Sequence, residues 1–418
     1  MAATVRQCAV LVGGLGTRLG DLTAATPKPL LPCGDRPFLA WLLRELVRFG
    51  VDDVVLLTGH LSETVQAALP SIAATLPKPV RIACAVEPPG AGTGGALFHA
   101  HDRLAERFRL CNGDSWFDCN LAGLLADAAR EPAAVVGRMT LNRLADASRY
   151  GVVQTDGDRV TEFRERPQPS GTTAVQPGTI NAGITLFNRS VLNDVSPSCS
   201  LERDVMPRLA ARGALRGTVG RGGGQYFIDI GVPADLARAQ TELPARLRRR
   251  ALFLDRDGVI NIDHGWVGAR ERFTFVPGAL DAIRMAVNAG FHVFVVTNQS
   301  GIARGLYDEA QFASLCAWMD DEIHAAGGTV DDLRFCPYHP EASVAAYRQT
   351  SDWRKPAPGM ILDLLARWEV EPATSLLIGD QPSDLAAAAS AGVPGHLFPG
   401  GNLADFVRPL LCRNAGPP

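Results

Sequence analysis

The sequence predicts an α/β protein built from two doubly wound, Rossmann-like domains. Three observations lead there. The chain has 418 residues, more than twice the roughly 100–200 residues of an ordinary domain. Short apolar runs alternate with helical stretches in both halves, the rhythm of parallel sheets covered by helices. Each half also places glycines and carboxylates directly after apolar runs, at the strand ends where open sheets bind ligands.

Composition narrows the function. Hydrophobic residues make up 46% of the chain, enough for two cores, and the formal net charge of -3 gives no electrostatic case for nucleic acid or a membrane surface. Small molecules are the expected partners, and oligomeric state is not legible. The nine cysteines form no CxxC pair and are odd in number, which argues for a reducing compartment. No apolar run reaches the ~18 residues that span a bilayer, and the N-terminus runs straight into a strand, so a cytoplasmic location is expected.

Gln7 to Val12 reads as the first strand, followed by Gly13-Gly14-Leu15-Gly16-Thr17-Arg18-Leu19. Glycines there let backbone amides approach phosphate oxygens, and Arg18 can add a forked, charge-assisted contact. The prolines of Thr26-Pro27-Lys28-Pro29 fix a non-helical loop that aims one ammonium group. Phe38 to Phe49 reads as a helix closed by Gly50, Val54 to Leu57 as a strand, and Ser62 to Leu69 as a helix that Ser62 can cap. Strand Val80 to Val86 leads into a second glycine-rich loop, Glu87 to Gly95, which contains Gly94. Two such loops at one sheet edge can enclose a nucleotide base and its phosphates.

The next strand, Phe108 to Cys111, ends in Asn112-Gly113-Asp114. A carboxylate at that mouth can hold Mg²⁺ through hard oxygen ligands, with Asp229 of Phe227-Ile228-Asp229 as second ligand.

These motifs, with Phe163-Arg164-Glu165, Asn181-Ala182-Gly183 and Asp229-Ile230-Gly231, occur in the order found in the sugar-1-phosphate nucleotidyltransferases. The chain resembles that family over roughly residues 5 to 240. The resemblance implies that Gly13, Gly14, Gly16, Thr17 and Gly94 line the nucleotide site, and that Arg18 and Lys28 bind phosphates. It further implies that Asp114 and Asp229 bind the metal and that Glu165 and Asn181 contact the sugar. Arg166 departs from the family, which usually has lysine there. Within the family, the wording around Arg149-Tyr150-Gly151 and Ser200-Leu201-Glu202 is most similar to the heptose 1-phosphate guanylyltransferases. The implied reaction is attack by a sugar 1-phosphate oxygen on the nucleotide α-phosphorus, expelling pyrophosphate.

Ala234 to Gln240 reads as a terminal helix, after which Arg246 to Arg250 carries four arginines in five residues, read as a solvated connector. The expected organisation is therefore 1–243, a basic linker 244–250, and 251–418.

In the second half, Ala251 to Leu254 reads as a buried strand that delivers Asp255-Arg256-Asp257-Gly258. One carboxylate can attack phosphorus while its neighbour moves a proton. Pro277 to Gly290 reads as a helix. The strand Phe291 to Val296 then delivers Thr297 and Asn298, which can hydrogen-bond phosphate oxygens without adding charge. Cys316, Trp318 and Met319 on the helix Glu309 to Ala326 read as packing residues. Arg354-Lys355-Pro356 precedes a helix from Gly359, and strand Ser375 to Ile378 ends in Gly379-Asp380-Gln-Pro-Ser-Asp384. Lys355 can neutralise a phosphoryl group, while Asp380 can complete a Mg²⁺ site with Asp255.

Asp-x-Asp, Thr-Asn, Lys-Pro and Gly-Asp-x₃-Asp in this order resemble the haloacid dehalogenase superfamily. More narrowly they resemble its histidinol-phosphatase-like branch, including the heptose 1,7-bisphosphate 7-phosphatases. By that resemblance Asp255 is the nucleophile, Asp257 the proton shuttle, and Arg354 helps select the substrate; Mg²⁺ is bound by Asp255, Asp257 and Asp380. Members of the branch often hold a structural zinc at positions occupied here by Cys336, Tyr338, Ser351 and Trp353. One of four ligands remains, His339 supplies at most a second, and zinc is not expected. Packing of Tyr338, Tyr347 and Trp353 should hold that loop instead.

The combined expectation is a bifunctional enzyme of nucleotide-activated heptose synthesis, acting on heptose phosphates and a nucleoside triphosphate, with GTP favoured. ATP, or another sugar such as mannose 1-phosphate with another small phosphate ester, are the alternatives, as is a non-catalytic sugar-nucleotide sensor.

Overall fold

A computed structural model describes residues 5–14, 16–165, 176–220 and 226–413. It divides into two compact units, Val5–Ala245 and Arg246 onward.

The first unit carries a mixed sheet of nine strands among the described residues. Their spatial order is Arg81–Val86, Asp53–Thr58, Gln7–Leu11, Arg107–Asn112, Gly178–Asn188, Gly137–Leu144, Leu215–Val219, Arg159–Arg164 and Val152–Asp156. The first four run parallel, as the alternating pattern predicts. Beyond them the sheet departs from a purely parallel arrangement. Gly178–Asn188 pairs antiparallel with strands on both sides, and Val152–Asp156 and Arg159–Arg164 form a hairpin turned at Gly157, whose φ is +58°. Phe108 and Phe187 meet in the core at 6.2 Å between ring centroids, and a Cβ on Gly137 would lie 2.7 Å from the Phe187 ring. Glycine is thus required where the aromatic ring lies against the neighbouring strand.

The second unit holds a five-stranded, all-parallel sheet ordered Asp332–Cys336, His292–Asn298, Ala251–Leu254, Leu376–Gly379 and Gly395–Leu397. Its central strands are wholly buried, and near-continuous apolar runs are what a sheet covered on both faces requires. Phe253 and Phe294 pack at 5.2 Å beneath Trp368 and Leu377.

Three local expectations change. Ser62 does not cap its helix: the cap residue is Leu61, and the Ser62 hydroxyl lies 2.9 Å from that of Thr58. That helix continues through Pro70 to Ala74. The arginine run is solvated only in part: Arg246 and Arg248 are exposed, Arg249 and Arg250 are not. The helix Pro233–Leu247 extends into it, Arg248 pairs with Glu371 at 3.1 Å, Arg249 is buried and bridged to Val370, and the Arg250 guanidinium stands 4.2 Å over the Phe291 ring. Cys316, Trp318 and Met319 do pack: Met319 is 1% exposed, and Trp318 meets Phe273 and Phe275 at 5.3 and 6.0 Å. Among the described residues no helix is long and apolar enough to cross a membrane.

Candidate functional site

Each unit gathers carboxylates around a lysine. In the first, Asp114 and Asp229 are far apart in sequence but adjacent in space, because Ser115–Phe117 pairs antiparallel with Phe227–Asp229 in a two-stranded ribbon. Lys28, 9% exposed, lies between them with Nζ 2.5 Å from Asp114 and 3.5 Å from Asp229. Burial pushes the Asp229 carboxyl up, Asp114 adds to the rise, and Lys28 opposes it. The loop between the prolines thus aims its ammonium at the carboxylate pair. Two carboxylates converging on one point are donors of the kind that Mg²⁺ takes.

The first glycine loop leaves the end of Gln7–Leu11, where Gly113, the neighbour of Asp114, donates to the Leu11 carbonyl at 2.9 Å. A Cβ at Gly13 would fall 2.5 Å from Glu87 Oε1, whereas a Cβ at Gly14 meets nothing within 4 Å. Gly14 therefore leaves open space beside the strand end, the condition for a ligand to approach backbone. Gly16 is left-handed at φ +63° and its carbonyl accepts the Thr23 hydroxyl, so that glycine turns the chain into Thr17–Thr23. Thr17 and Arg18 stand exposed beyond it.

The second glycine loop has a different physical reason. Gly94 and Gly95 donate to the Cys199 carbonyl at 2.9 and 3.1 Å, and side chains at Gly92, Gly94 or Gly95 would strike the Pro197 to Cys199 segment within 2.5–2.6 Å. Close packing against that segment accounts for these glycines, Gly94 included. Thr93 extends the join, donating to Glu202 at 2.6 Å. Glu202 in turn raises the Glu165 carboxyl after burial. Asn181 sits where pairing with Gly137–Leu144 is interrupted, its side chain accepting from Gly183 N at 3.1 Å. Such bulges re-aim a side chain. Arg166 lies outside the described residues.

Sequence reasoning passed over Glu87. Its Oε2 is buried without a hydrogen bond, and burial pushes its carboxyl up to about 7. The signal was available: a glutamate directly after a strand, opposite the first glycine loop.

In the second unit three central strands end together, and their ends supply Asp255, Thr297 with Asn298, and Asp380. Lys355, 4% exposed, lies 3.0 Å from Asp255 and 2.6 Å from Asp384 and donates to the Val296 carbonyl at 2.9 Å. Burial drives the Asp255 carboxyl up to about 7 against the pull of Lys355. One oxygen from each of Asp255, Asp380 and Asp384 lies within 4.8 Å of the others, a hard-oxygen cluster that fits a divalent cation. Gly258, at φ +85°, admits Asp380 to this cluster, since a Cβ there would fall 2.4 Å from its carboxylate.

The membership differs from the expected set. Asp384 joins the cluster, and the side chain of Asp257 does not. Both Asp257 oxygens are taken by Arg256, Asn261 and Gln299, which explains its absence. The spacing Gly-Asp-x₃-Asp carried the signal for Asp384, whose amide-bonded carboxylate closes the turn after Gly379. Thr297 is 1% exposed, its hydroxyl accepting from Gln299. Asn298 brackets the Lys355 backbone, donating to its carbonyl and accepting its amide, both at 3.1 Å. It places the lysine. Arg354 donates to the Tyr338 carbonyl at 3.3 Å, and burial, with a smaller contribution from the Arg304 charge, lowers its pKa. Tyr338 and Trp353 pack on the main core, and Tyr347 on Ile302, Tyr307 and Phe312, which holds the loop around Cys336.

The nucleotidyl transferase family model matches residues 8–246, 239 of the 418 residues by its endpoints. The chain belongs to that family. A HAD-hydrolase-like model matches residues 352–405. The D-glycero-beta-D-manno-heptose-1,7-bisphosphate 7-phosphatase of Rhodopseudomonas palustris is 49% identical over 166 residues, 40% of this chain and 92% of its own. The protein of that name in Escherichia coli K12 is 46% identical over 143 residues, 34% of this chain and 75% of its own. The crystal structure of HddC from Yersinia pseudotuberculosis shares 25% identity over 56% of this chain and 98% of that one, with a TM-score of 0.48. The protein is thus a bifunctional enzyme, a nucleotidyltransferase followed by a HAD-type phosphatase.

Proposed function

We propose that the second unit hydrolyses the 7-phosphate of D-glycero-D-manno-heptose 1,7-bisphosphate through a phosphorylated Asp255, and that the first transfers GMP from GTP to the resulting heptose 1-phosphate. The observation that carries this reading is the union of the two in one chain. A phosphatase unit 49% identical to a heptose bisphosphate phosphatase follows a nucleotidyltransferase, and the product of one is the substrate class of the other.

In the phosphatase, Asp255 attacks phosphorus, Lys355 neutralises the phosphoryl oxygens, and Asp257 protonates the leaving sugar oxygen and then activates water. Asp255, Asp380 and Asp384 would hold Mg²⁺, which supplies charge neutralisation between the carboxylate and the phosphate. Arg354, next to Lys355 in sequence, can offer a second phosphate on the substrate a forked, charge-assisted contact. In the transferase, Lys28 and Arg18 hold phosphates, Asp114 and Asp229 a second Mg²⁺, and positioning carries the reaction.

Glu87 favours guanine. A carboxylate accepts hydrogen bonds and donates none when ionised, so it matches guanine's N1–H and amino group and mismatches the N1 acceptor of adenine. Because burial holds its pKa at about 7, the accepting form grows as pH rises through that value. GTP binding measured calorimetrically should therefore tighten from pH 6 to pH 8. Glu87→Gln should lose about 10–100-fold in preference for GTP over ATP and lose this part of the pH dependence, with the nucleotide's own titration cancelled by the comparison. An unchanged preference would remove Glu87 from base selection.

The decisive experiment incubates the full chain with Mg²⁺, each anomer of heptose 1,7-bisphosphate, and GTP or ATP, following phosphate and pyrophosphate separately. Phosphate first, then pyrophosphate with GTP, is expected. Phosphate without pyrophosphate under either nucleotide refutes the transferase reading.

A further inference from the structure

Arg256 occupies the middle of Asp-x-Asp with no exposure at all. Its Nη2 lies 2.7 and 2.8 Å from the two oxygens of Asp257 and donates to the Val267 carbonyl, while its guanidinium stands 5.1 Å over the Phe312 ring. The Tyr307 hydroxyl and the Cys316 thiol lie against the same guanidinium, which opposes the rise in pKa that burial imposes on both. A fully buried guanidinium paired with a carboxylate is a costly way to stabilise a fold, and apolar residues of similar volume often serve as well or better.

The rest of the cage has the same aim. Asn261 Nδ2 lies 2.9 Å from Asp257 Oδ1, Gln299 Nε2 lies 2.9 Å from Oδ2, and both residues are 0–1% exposed. The Tyr307 hydroxyl donates to Gln299 Oε1 at 2.6 Å, which turns that amide so its NH₂ faces Asp257. Room for the Tyr307 ring is built in, since a Cβ at Gly268 or Gly301 would fall 2.2 or 2.3 Å from it. Of these groups, only Asp257 is other than buried beside the site's open side.

We propose that Arg256, with Gln299 and Tyr307 behind it, is a positioning residue that aims the Asp257 carboxyl at the oxygen leaving phosphorus. This rests on Asp257 being the proton shuttle. In the first step an Asp255 oxygen bonds phosphorus, the bond from phosphorus to the ester oxygen breaks with its electron pair on that oxygen, and Asp257 gives it a proton. In the second, water attacks phosphorus and gives a proton to Asp257, and the bond to Asp255 breaks, releasing phosphate. A misaimed carboxyl harms the first step only where the leaving oxygen needs the proton. A sugar alkoxide needs it, and nitrophenolate does not.

The test uses Tyr307→Phe, which keeps the ring, and Arg256→Lys in the full chain. Rates with heptose 1,7-bisphosphate are compared with the pre-steady-state burst of nitrophenolate from p-nitrophenyl phosphate, which reports phosphoryl transfer before water enters. Asp257→Asn is the reference without a shuttle. Tyr307→Phe should lower kcat on the sugar ester about tenfold or more, leaving its KM within about twofold and the nitrophenolate burst within about threefold. Arg256→Lys, which retains a cation, should show the same selectivity with a smaller loss. Equal losses on both esters would make the cage a staple for the Val267 loop and overturn the proposal, as would no loss on either. If Asp257→Asn itself shows no dependence on leaving group, the shuttle assignment fails instead.

Discussion

Asp255→Asn should abolish phosphate release, lowering kcat by on the order of 10⁴-fold on both the sugar bisphosphate and p-nitrophenyl phosphate. The amide keeps the volume of the carboxylate, but its oxygen is not a competent nucleophile toward phosphorus. Folding should survive, because Lys355 retains Asp384 at 2.6 Å and the Val296 carbonyl at 2.9 Å as partners. The same variant separates the two reactions. Given heptose 1-phosphate and GTP directly, it should release pyrophosphate at the wild-type rate, since Asp255 lies outside the unit that ends at Ala245. Given the bisphosphate, it should release neither phosphate nor pyrophosphate. Phosphate release within tenfold of wild type would exclude Asp255 as nucleophile. Pyrophosphate from the bisphosphate would show that the transferase does not wait for the phosphatase.

The sequence made the strand ends legible because each chemical residue follows an apolar run, and the run itself sets where the chain emerges from the sheet. Asp255, Thr297 and Asp380 were found this way and Lys355 from the Arg-Lys-Pro before a helix, and the structure sets Lys355 3.0 Å from Asp255 and Asp255 beside Asp380. What it could not convey was pairing between distant segments. The antiparallel hairpin at Gly157 and the ribbon joining Asp114 to Asp229 depend on register, which composition does not encode. The glycines at 92, 94 and 95 were ambiguous for a related reason: a glycine signals close backbone approach without saying what approaches. Here the neighbour is Cys199 for Gly92 and Gly94 and Pro197 for Gly95. Asp257 was assigned to the metal by its place in the motif; donors at positions 256, 261 and 299 hold its side chain, and the carboxylate that stands beside Asp255 and Asp380 is that of Asp384. Glu87 was overlooked because a single carboxylate after a strand is common, and only its burial against Gly13 marks it.

Lys28→Met tests the other carboxylate centre, where the proposed function gives one cation two tasks. In the structure its ammonium sits between Asp114 and Asp229, and its side chain is 11% exposed. Methionine keeps the apolar stem and removes the charge, leaving two carboxylates to repel across the ribbon. Removing one partner from a buried ion pair costs roughly 3–5 kcal/mol, which the partial exposure of Asp114 reduces to about 2–3 kcal/mol. For a unit of this size the melting temperature should fall by roughly 5–10 °C. On the proposed role of Lys28 as a phosphate ligand, pyrophosphate release should slow by on the order of 10²–10³-fold. Mg²⁺ distinguishes the tasks. It should raise the melting temperature of Lys28→Met more than that of wild type, by replacing the lost charge between the carboxylates, yet leave the rate low because it does not restore the phosphate contact. An unaltered melting temperature, with or without Mg²⁺, would mean that Lys28 does not stabilise the pair. Transfer within threefold of wild type would mean that it does not hold phosphate, and the ribbon would then be a structural ion pair beside the site rather than its centre.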